Sequence, residues 1–205
     1  MKKNRVIIFD FDGVIVNSIE VSFEINKETV IDLEFSEWQS WFEGNIYKNI
    51  RQEFSSEEYQ IQYFEKYSNK LIDLLPVKGI ENVLKKLISM GFILIINSSS
   101  SGSGVNNFLK KHDLKKYFAE VMTREVHKSK VEKFKIILEK YKIKADQTVI
   151  VTDTVGDVKE AREVGIKSIG TSWGAHEPER LIKNGVDFMA EKPEDILVGI
   201  KKILV

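Results

Sequence analysis

Short apolar segments that alternate with helix-length amphipathic stretches restrict the fold of this chain more than any other feature. These segments are rich in β-branched residues, which favour strands. Four are pronounced and the last two are weaker: Val6–Phe9, Phe92–Ile96, Val149–Thr152, Lys167–Gly170, Phe118–Met122 and Phe188–Ala190. Between them, Ile80–Met90 and Val131–Tyr141 carry apolar residues at helical spacing on one face. Strands alternating with helices predict an α/β fold with a mostly parallel sheet wrapped by helices.

The alternation stops between residues 19 and 75, where the sequence has no strand segment and is typical of helices rich in aromatic and charged side chains. Pro76 and Gly79 then form a turn signal directly before the next helix. We therefore predict a core domain formed by residues 1–18 and 76–205, into which a small helical domain at residues 19–75 is inserted.

The segment Ser98–Gly104 contains only serine and glycine, a composition that is also found in flexible linkers. It directly follows an apolar strand, however, and Val105, Phe108 and Leu109 after it have helical spacing. We therefore predict that this segment is the turn between a strand and a helix.

The composition narrows the class of protein. The chain has 205 residues, 42% of them hydrophobic, which suits one globular domain with a small insertion. Its 31 basic and 31 acidic residues lack the positive excess that nucleic-acid binding needs, and without cysteine there are no disulfides or thiolate sites. Asp10 and Asp12 interrupt the only stretch that resembles a signal peptide, and no other segment approaches the roughly 20 apolar residues of a membrane helix. We predict a soluble, cytoplasmic protein that binds neither nucleic acid nor membrane.

Two acidic residues end the first predicted strand. Asp10 and Asp12 are two residues apart, so an extended chain directs both carboxylates to the same side. A pair of acids at a strand end often only begins a solvated turn. Here the preceding strand has the apolar composition of a buried one, and Gly13 follows, which permits a close backbone approach. The pattern favours one pocket that contains both carboxylates.

Two further carboxylates follow a later strand, because Asp153 and Asp157 come after Val149–Thr152. Clustered carboxylates repel one another and need a cation, and hard oxygen ligands without histidine or cysteine indicate Mg²⁺. The histidines are scattered without the spacing of metal ligands. We predict that they are surface or capping residues: His112, His127 and His176.

Hydroxyl and ammonium groups are candidates for phosphate binding. The second strand ends at Asn97 and Ser98, where a hydroxyl or the N–H groups of the following turn can donate to phosphate oxygens. An ordinary N-cap serine is the alternative at this position. Lys128 lies just ahead of the helix predicted near Val131, but its position alone does not select it in a chain this rich in lysine.

Taken in order, these segments resemble the four motifs of the haloacid dehalogenase superfamily. They are DFDGVIV at residues 10–16, the strand that ends at Ser98, Lys128 before a helix, and the D-x-x-x-D pattern at residues 153–157. The resemblance covers nearly the whole chain, and the tail TSWGAHEPERLIKNGVDFMAEKPEDI is similar to that of phosphoglycolate-phosphatase-like members. It implies a doubly wound parallel sheet with a helical cap, in which the first and fourth strands are neighbours where the winding reverses.

The resemblance also implies a role for each candidate residue. Asp10 is the expected nucleophile, and Asp12 is the expected general acid and base. Mg²⁺ is expected to bind to Asp10, the Asp12 backbone carbonyl, Asp153 and, through water, Asp157. The phosphoryl oxygens are expected to contact Ser98, Ser99 and Lys128. One departure is Asn17, where the family commonly has aspartate.

These roles predict a Mg²⁺-dependent phosphatase that hydrolyses a small-molecule phosphate monoester through an aspartyl-phosphate. One alternative is a sugar-phosphate mutase, but Ser22 occupies the place where such mutases carry a histidine. Another is a receiver-like signalling domain, but such domains carry their phosphorylated aspartate in mid-chain and have no helical insertion after the first strand.

The segment FEGNIYKNI at residues 42–50 resembles the cap loop that reaches into the pocket in this family. We predict that Gly44 makes its turn and that Asn45, Tyr47 and Lys48 contact the leaving group of the substrate. A solvated turn between two cap helices is the alternative.

Overall fold

The computed structural model describes residues 5–204 of the chain. At its centre is a six-stranded sheet in which every neighbouring pair of strands is parallel. The strands are β1 (Val6–Phe9), β2 (Ile93–Asn97), β3 (Glu120–Met122), β4 (Thr148–Thr152), β5 (Lys167–Thr171) and β6 (Phe188–Ala190). Their spatial order is β3-β2-β1-β4-β5-β6. All six predicted strands are present, and the α/β doubly wound fold is confirmed.

Ten α-helices lie within the described residues: α1 (Ile19–Lys27), α2 (Phe35–Ser40), α3 (Ile46–Asn49), α4 (Glu57–Leu71), α5 (Ile80–Ser89), α6 (Gly102–Lys111), α7 (Lys130–Tyr141), α8 (Val155–Glu163), α9 (Pro178–Lys183) and α10 (Asp195–Leu204). None of the helices in residues 5–204 combines the length and the apolar composition needed to cross a bilayer.

The central strand β1 shows why the apolar segments are continuous rather than alternating with polar residues. It pairs with β2 on one side and β4 on the other, and all four of its residues are fully buried. Ile7 and Phe9 belong to the larger hydrophobic cluster, whereas Val6 and Ile8 belong to a second cluster. Since helices cover both faces, each residue of the strand must be apolar.

The helical insertion, residues 19–71 with α1 to α4, has a hydrophobic cluster of its own. Its buried members are mostly aromatic: Phe23, Leu33, Trp38, Trp41 and Phe54. The chain leaves and re-enters the sheet region at adjacent points, because Val77 N–H donates to the Ile15 carbonyl at 2.9 Å and Val16 forms a β-bridge with Pro76. The exact division of the chain into two domains stays a prediction.

The carboxyl ends of all six strands lie along one edge of the sheet, and the winding direction reverses on that edge between β1 and β4. The predicted turn at Ser98–Gly104 lies at this edge, and α6 begins within it with Ser101 as its N-cap. The serine- and glycine-rich segment is therefore a strand-to-helix turn rather than a linker. Ligands of doubly wound folds bind at such a reversal.

Candidate functional site

Asp10 lies at the centre of this edge. Its backbone N–H donates to the Val151 carbonyl of β4 at 2.9 Å, which fixes it between the two central strands. Its Oδ1 accepts from the Phe11 N–H at 2.7 Å, and its Oδ2 lies 2.8 Å from the Lys130 ammonium. Asp10 is buried, so the carboxylate is held in one orientation at the floor of a cavity.

Lys130, and not the predicted Lys128, is the lysine of this site. Its Nζ lies 2.8 Å from Asp10 Oδ2 and 2.6 Å from Asp157 Oδ2, and its side chain is buried. Lys128 is exposed, and its ammonium lies over the ring of Tyr47, 5.4 Å from the centroid. The prediction was wrong by two residues because it began the helix near Val131.

The helix start was readable from the sequence. Ser129 caps α7 by accepting from the Glu132 N–H, and Ser-x-x-Glu is a recognised signal of a helix N-terminus. This pattern makes Lys130 the first helical residue.

Asp153 and Asp157 both reach the site, but they differ in their contacts. Asp157 Oδ2 accepts from Thr152 Oγ1 at 2.8 Å as well as from Lys130. Asp153 Oδ2 accepts from the Ala175 N–H at 2.8 Å, whereas its Oδ1 is buried and has no hydrogen-bond partner. Asp153 therefore has an unsatisfied anionic oxygen next to Asp10.

Glycine at position 13 is required for this approach. Gly13 has a φ of +70°, and a Cβ built there would collide with the Asp153 carboxylate. The sequence predicted a close backbone approach at this residue, and the group that approaches is the second carboxylate of the site.

The site has three buried carboxyl groups, those of Asp10, Asp153 and Asp157, and one buried ammonium group, that of Lys130. When all three carboxyl groups are ionised, Lys130 does not balance their charge. Burial raises the pKa of Asp10 well above its ordinary value, and Asp157 and Asp153 raise it further against the opposing effect of Lys130. Burial likewise raises the pKa of Asp153 to about 7. Burial would lower the pKa of Lys130, but Asp10 and Asp157 outweigh it and raise that pKa. An additional cation at this site would relieve the repulsion.

These residues fit a hard divalent cation. Asp153 offers the free Oδ1, and it lies beside a second carboxylate in a cavity with no sulfur ligand. Within residues 5–204 no three acidic or histidine side chains converge on one point to form a complete metal cage. Mg²⁺ does not require one, since it usually takes one or two carboxylates and completes its shell with water and substrate oxygens.

Asp12 faces the same cavity and is held by three hydroxyl groups. Ser18 Oγ donates to its Oδ1 at 2.8 Å, Ser100 Oγ donates to its Oδ2 at 2.6 Å, and the Tyr67 hydroxyl also donates to Oδ1. None of these three donors was identified from the sequence. Because the donors come from three separate segments, the orientation of Asp12 depends on the insertion as well as on the sheet.

Tyr67 is the last of three tyrosines that stack along α4. The rings of Tyr59 and Tyr63 have centroids 6.1 Å apart, and those of Tyr63 and Tyr67 are 5.7 Å apart. Each hydroxyl has a partner: Asn26 for Tyr59, Ser22 for Tyr63 and Asp12 for Tyr67. Their spacing of four residues was a visible signal of one helical face, but nothing in the sequence indicated that this face meets Asp12.

Ser98 and Ser99 lie at the predicted strand end. Ser98 is fully buried and its Oγ accepts from the Ser100 N–H at 2.9 Å, whereas Ser99 and Ser100 line the cavity. The first N–H of α6, from Gly102, is bound by the Glu125 carboxylate at 3.1 Å. That N–H is therefore not free to bind phosphate, and phosphate binding by the other N–H groups of the turn stays a prediction.

Of the three predicted specificity residues, Tyr47 lines the cavity, whereas Asn45 and Lys48 do not. Tyr47 lines the cavity, and its hydroxyl donates to the Ser99 carbonyl at 2.7 Å. Asn45 caps α3 by accepting from the Tyr47 N–H at 3.1 Å, and its amide lies 3.4 Å from Glu160. Lys48 is exposed and does not line the cavity. The structure thus brings Tyr47, but not Lys48, to the site.

His176 is a capping residue, as predicted, but it is not on the surface. It is buried, and its Nδ1 accepts from the Val155 N–H at the start of α8 at 2.9 Å. Its Nε2 lies 3.0 Å from the carbonyl of Gln39 in α2. Burial lowers the pKa of His176, which favours the neutral ring that this pair of contacts requires.

The profile of the haloacid dehalogenase-like hydrolase family matches residues 7–171. A phosphoglycolate phosphatase from Synechococcus elongatus is 24% identical over 98% of this chain and 99% of that protein, and a putative pyrophosphatase from Clostridium perfringens is 25% identical over 97% and 98%. The crystal structure of a putative phosphoglycolate phosphatase from Lactobacillus plantarum aligns with a TM-score of 0.81 at 17% identity, covering 96% of this chain and 99% of that one. Because the family profile spans most of the chain and the fold agrees, the protein belongs to the haloacid dehalogenase-like hydrolase family.

Proposed function

We propose that the protein is a Mg²⁺-dependent phosphatase that hydrolyses a small-molecule phosphate monoester through an aspartyl-phosphate on Asp10. The observation that carries this proposal is the position of Asp10. It is a buried carboxylate at the winding reversal, paired with Lys130 at 2.8 Å and open to a cavity that Asp12 also lines. The family is one of hydrolases, and the two curated relatives described above are a phosphatase and a putative pyrophosphatase.

Asp10 attacks the phosphorus atom and the leaving alcohol departs, so one difficult displacement becomes two easier ones. Lys130 neutralises charge during this transfer. An ammonium group has three N–H donors, and Asp10 and Asp157 use two of them. The third is available to a phosphoryl oxygen, where fixed positive charge supplies most of the catalytic effect.

Asp12 moves the protons. Two residues after the nucleophile, it is oriented by the hydroxyls of Ser18, Ser100 and Tyr67. It gives a proton to the leaving oxygen and then takes one from the water that hydrolyses the aspartyl-phosphate, so one carboxyl group serves both half-reactions.

Asp10, Asp153 and the Asp12 carbonyl would hold Mg²⁺, with Asp157 behind them. When bound, the ion supplies positive charge for the carboxylates and for the transferring phosphoryl group. Asp157 also fixes Lys130, since both it and Asp10 accept from that ammonium. Ser99 and Ser100 close the cavity beside the phosphoryl position.

The proposal is tested by measuring phosphate release from a panel of phosphorylated metabolites with Mg²⁺. We expect turnover of at least one small monoester, its loss in EDTA and its recovery when Mg²⁺ is restored. Undiminished turnover in the chelator would contradict the role of the carboxylates as metal ligands.

A further inference from the structure

We propose that the leaving group of the substrate is uncharged and aromatic, so that the preferred substrate is the phosphate monoester of an aromatic alcohol. This inference rests on the proposed phosphatase function and concerns the other end of the same cavity. The cavity encloses about 890 Å³ of empty space when its open mouth is counted.

The walls beyond Asp12 are aromatic and aliphatic. They come from the helical insertion: Phe42, Ile46, Ile50, Phe54, Tyr63 and Phe64. Aromatic rings prefer stacked or edge-to-face neighbours, and the stacked tyrosines of α4 present such surfaces. A flat apolar group would bury its surface here without leaving a polar group unpaired.

The charges of the cavity do not suit a second anionic group. Among the described residues, Lys130 is the only cationic side chain in the lining, and Asp10 and Asp157 already use two of its three donors. The other charged lining groups are the acids Asp10, Asp12 and Asp153. A carboxylate or second phosphate on the leaving group would lie near Asp12 without a partner, and burying an unpaired charge is unfavourable.

Two nearby cations contact the ring surfaces without lining the cavity. The Arg124 guanidinium lies 4.3 Å from the centroid of Phe64, and its Nη2 donates to Gln60 at 2.6 Å. Lys128 lies over Tyr47, as described above. Both side chains are engaged by aromatic rings, and neither compensates an anion inside the cavity.

The tyrosine hydroxyls of the insertion are also occupied, and among the other lining groups the buried Nε1 of Trp38 has no hydrogen-bond partner. The hydroxyls of Tyr59, Tyr63 and Tyr67 bond to Asn26, Ser22 and Asp12 respectively. A sugar has several hydroxyls that lose water on binding, and here few free partners would replace it. The site therefore favours an aromatic alcohol over a sugar or a hydroxy acid.

The test compares four substrates with the full chain and Mg²⁺: benzyl phosphate, ethyl phosphate, 2-phosphoglycolate and pyrophosphate. The first three release alkyl alcohols, so differences in kcat/KM mainly report binding rather than bond strength. We expect kcat/KM for benzyl phosphate to exceed that for each of the others by tenfold or more. Equal or higher values for phosphoglycolate or pyrophosphate would overturn the inference. If the inference fails, the phosphatase proposal still stands provided that the enzyme hydrolyses ethyl phosphate and that Asp10→Asn abolishes this activity. If none of the four substrates is hydrolysed, both proposals are overturned.

A charge placed in the wall sharpens the test. Ile46 is half-buried in the lining, and Ile46→Lys should raise the ratio of phosphoglycolate to benzyl phosphate kcat/KM by at least tenfold. This ratio is independent of the folded fraction. Ile46→Met keeps the wall apolar, and Ile61→Lys adds the same charge at an exposed position of α4, so both should leave the ratio unchanged. An unchanged ratio in Ile46→Lys, or an equal rise in Ile61→Lys, would contradict the proposed position of the leaving group.

Discussion

The sheet core and the helical insertion contribute different kinds of side chain to one cavity. The core places charged groups at strand ends, with Asp10 after β1, Asp153 after β4 and Lys130 at the start of α7. The insertion places rings and hydroxyls along helices, with Tyr63 and Tyr67 on α4. Backbone geometry determines where a side chain at a strand end points. Tertiary packing determines which face of a helix contacts the core. Under the proposed function, the core would carry the chemistry and the insertion would enclose the substrate.

The two regions are nevertheless linked by polar contacts. Tyr67 of the insertion donates to Asp12, and Tyr47 donates to the carbonyl of Ser99. Because these contacts reach the proposed acid–base residue and the proposed phosphate turn, the insertion should affect turnover as well as substrate choice.

The largest expected effect is that of Asp10→Asn, in the core. The amide is a poor nucleophile and removes a charge that pairs with Lys130, so phosphate release should fall by roughly a thousandfold or more, about 4 kcal/mol. The measurement is the initial rate of phosphate release with Mg²⁺. Asp146→Asn makes the same change at an exposed position and should retain activity. Asp10→Asn turnover within tenfold of wild type would refute the nucleophile assignment.

The next effect distinguishes two lysines that are two residues apart. Lys130→Met leaves Asp10 and Asp157 without their shared cation and should lower kcat by roughly a hundredfold, about 2.7 kcal/mol. Lys128→Met removes an exposed ammonium and should change kcat less than threefold. The reverse result would restore the original prediction for Lys128. Unfolding by urea with Mg²⁺ present would show how much of the Lys130 effect is loss of stability.

The sequence predicted the core well because each strand end determines the direction of the residue that follows it. Asp10, Asp12 and Asp153 were identified in this way. All six strands were identified from their apolar segments rich in β-branched residues. Lys128 was wrong because its choice depended on a helix boundary, and boundaries shift by a residue or two. Ser100 and Tyr67 were missed because their contacts with Asp12 arise only when distant segments pack together.

An intermediate effect tests the link between the regions. Tyr67→Phe removes the hydroxyl that the insertion donates to Asp12 while keeping the stacked ring. Two other donors remain, so we expect kcat to fall about tenfold, near 1.4 kcal/mol, with little change in KM. Tyr59→Phe is the matched control, since its hydroxyl bonds Asn26 and not an acid of the site. Equal losses in the two variants would mean that the stack acts only through folding.

The last effect concerns stability rather than turnover and belongs to the core alone. Lys133 is fully buried on α7, and its ammonium donates to the Ser98 carbonyl at 2.5 Å. Burial, with help from Lys130, lowers its pKa from 10.5 to about 7. Between these values the unfolded chain binds more protons than the folded one, so this group makes stability rise with pH, by at most about 1.4 kcal/mol per pH unit. Below pH 7 both states bind the proton and the destabilisation is constant.

Urea unfolding at pH 7, 8 and 9 tests this sign, with EDTA present so that metal binding does not contribute. Lys133→Met should flatten the rise in unfolding free energy, because methionine fills a similar volume and does not titrate. Lys86→Met, at an exposed position of α5, should keep the wild-type slope. Equal slopes in wild type and Lys133→Met would show that the buried ammonium does not lose its proton on folding. A flattened slope with kcat preserved would separate the contact of Lys133 with the Ser98 carbonyl from the proposed catalytic role of Lys130, three residues earlier on the same helix.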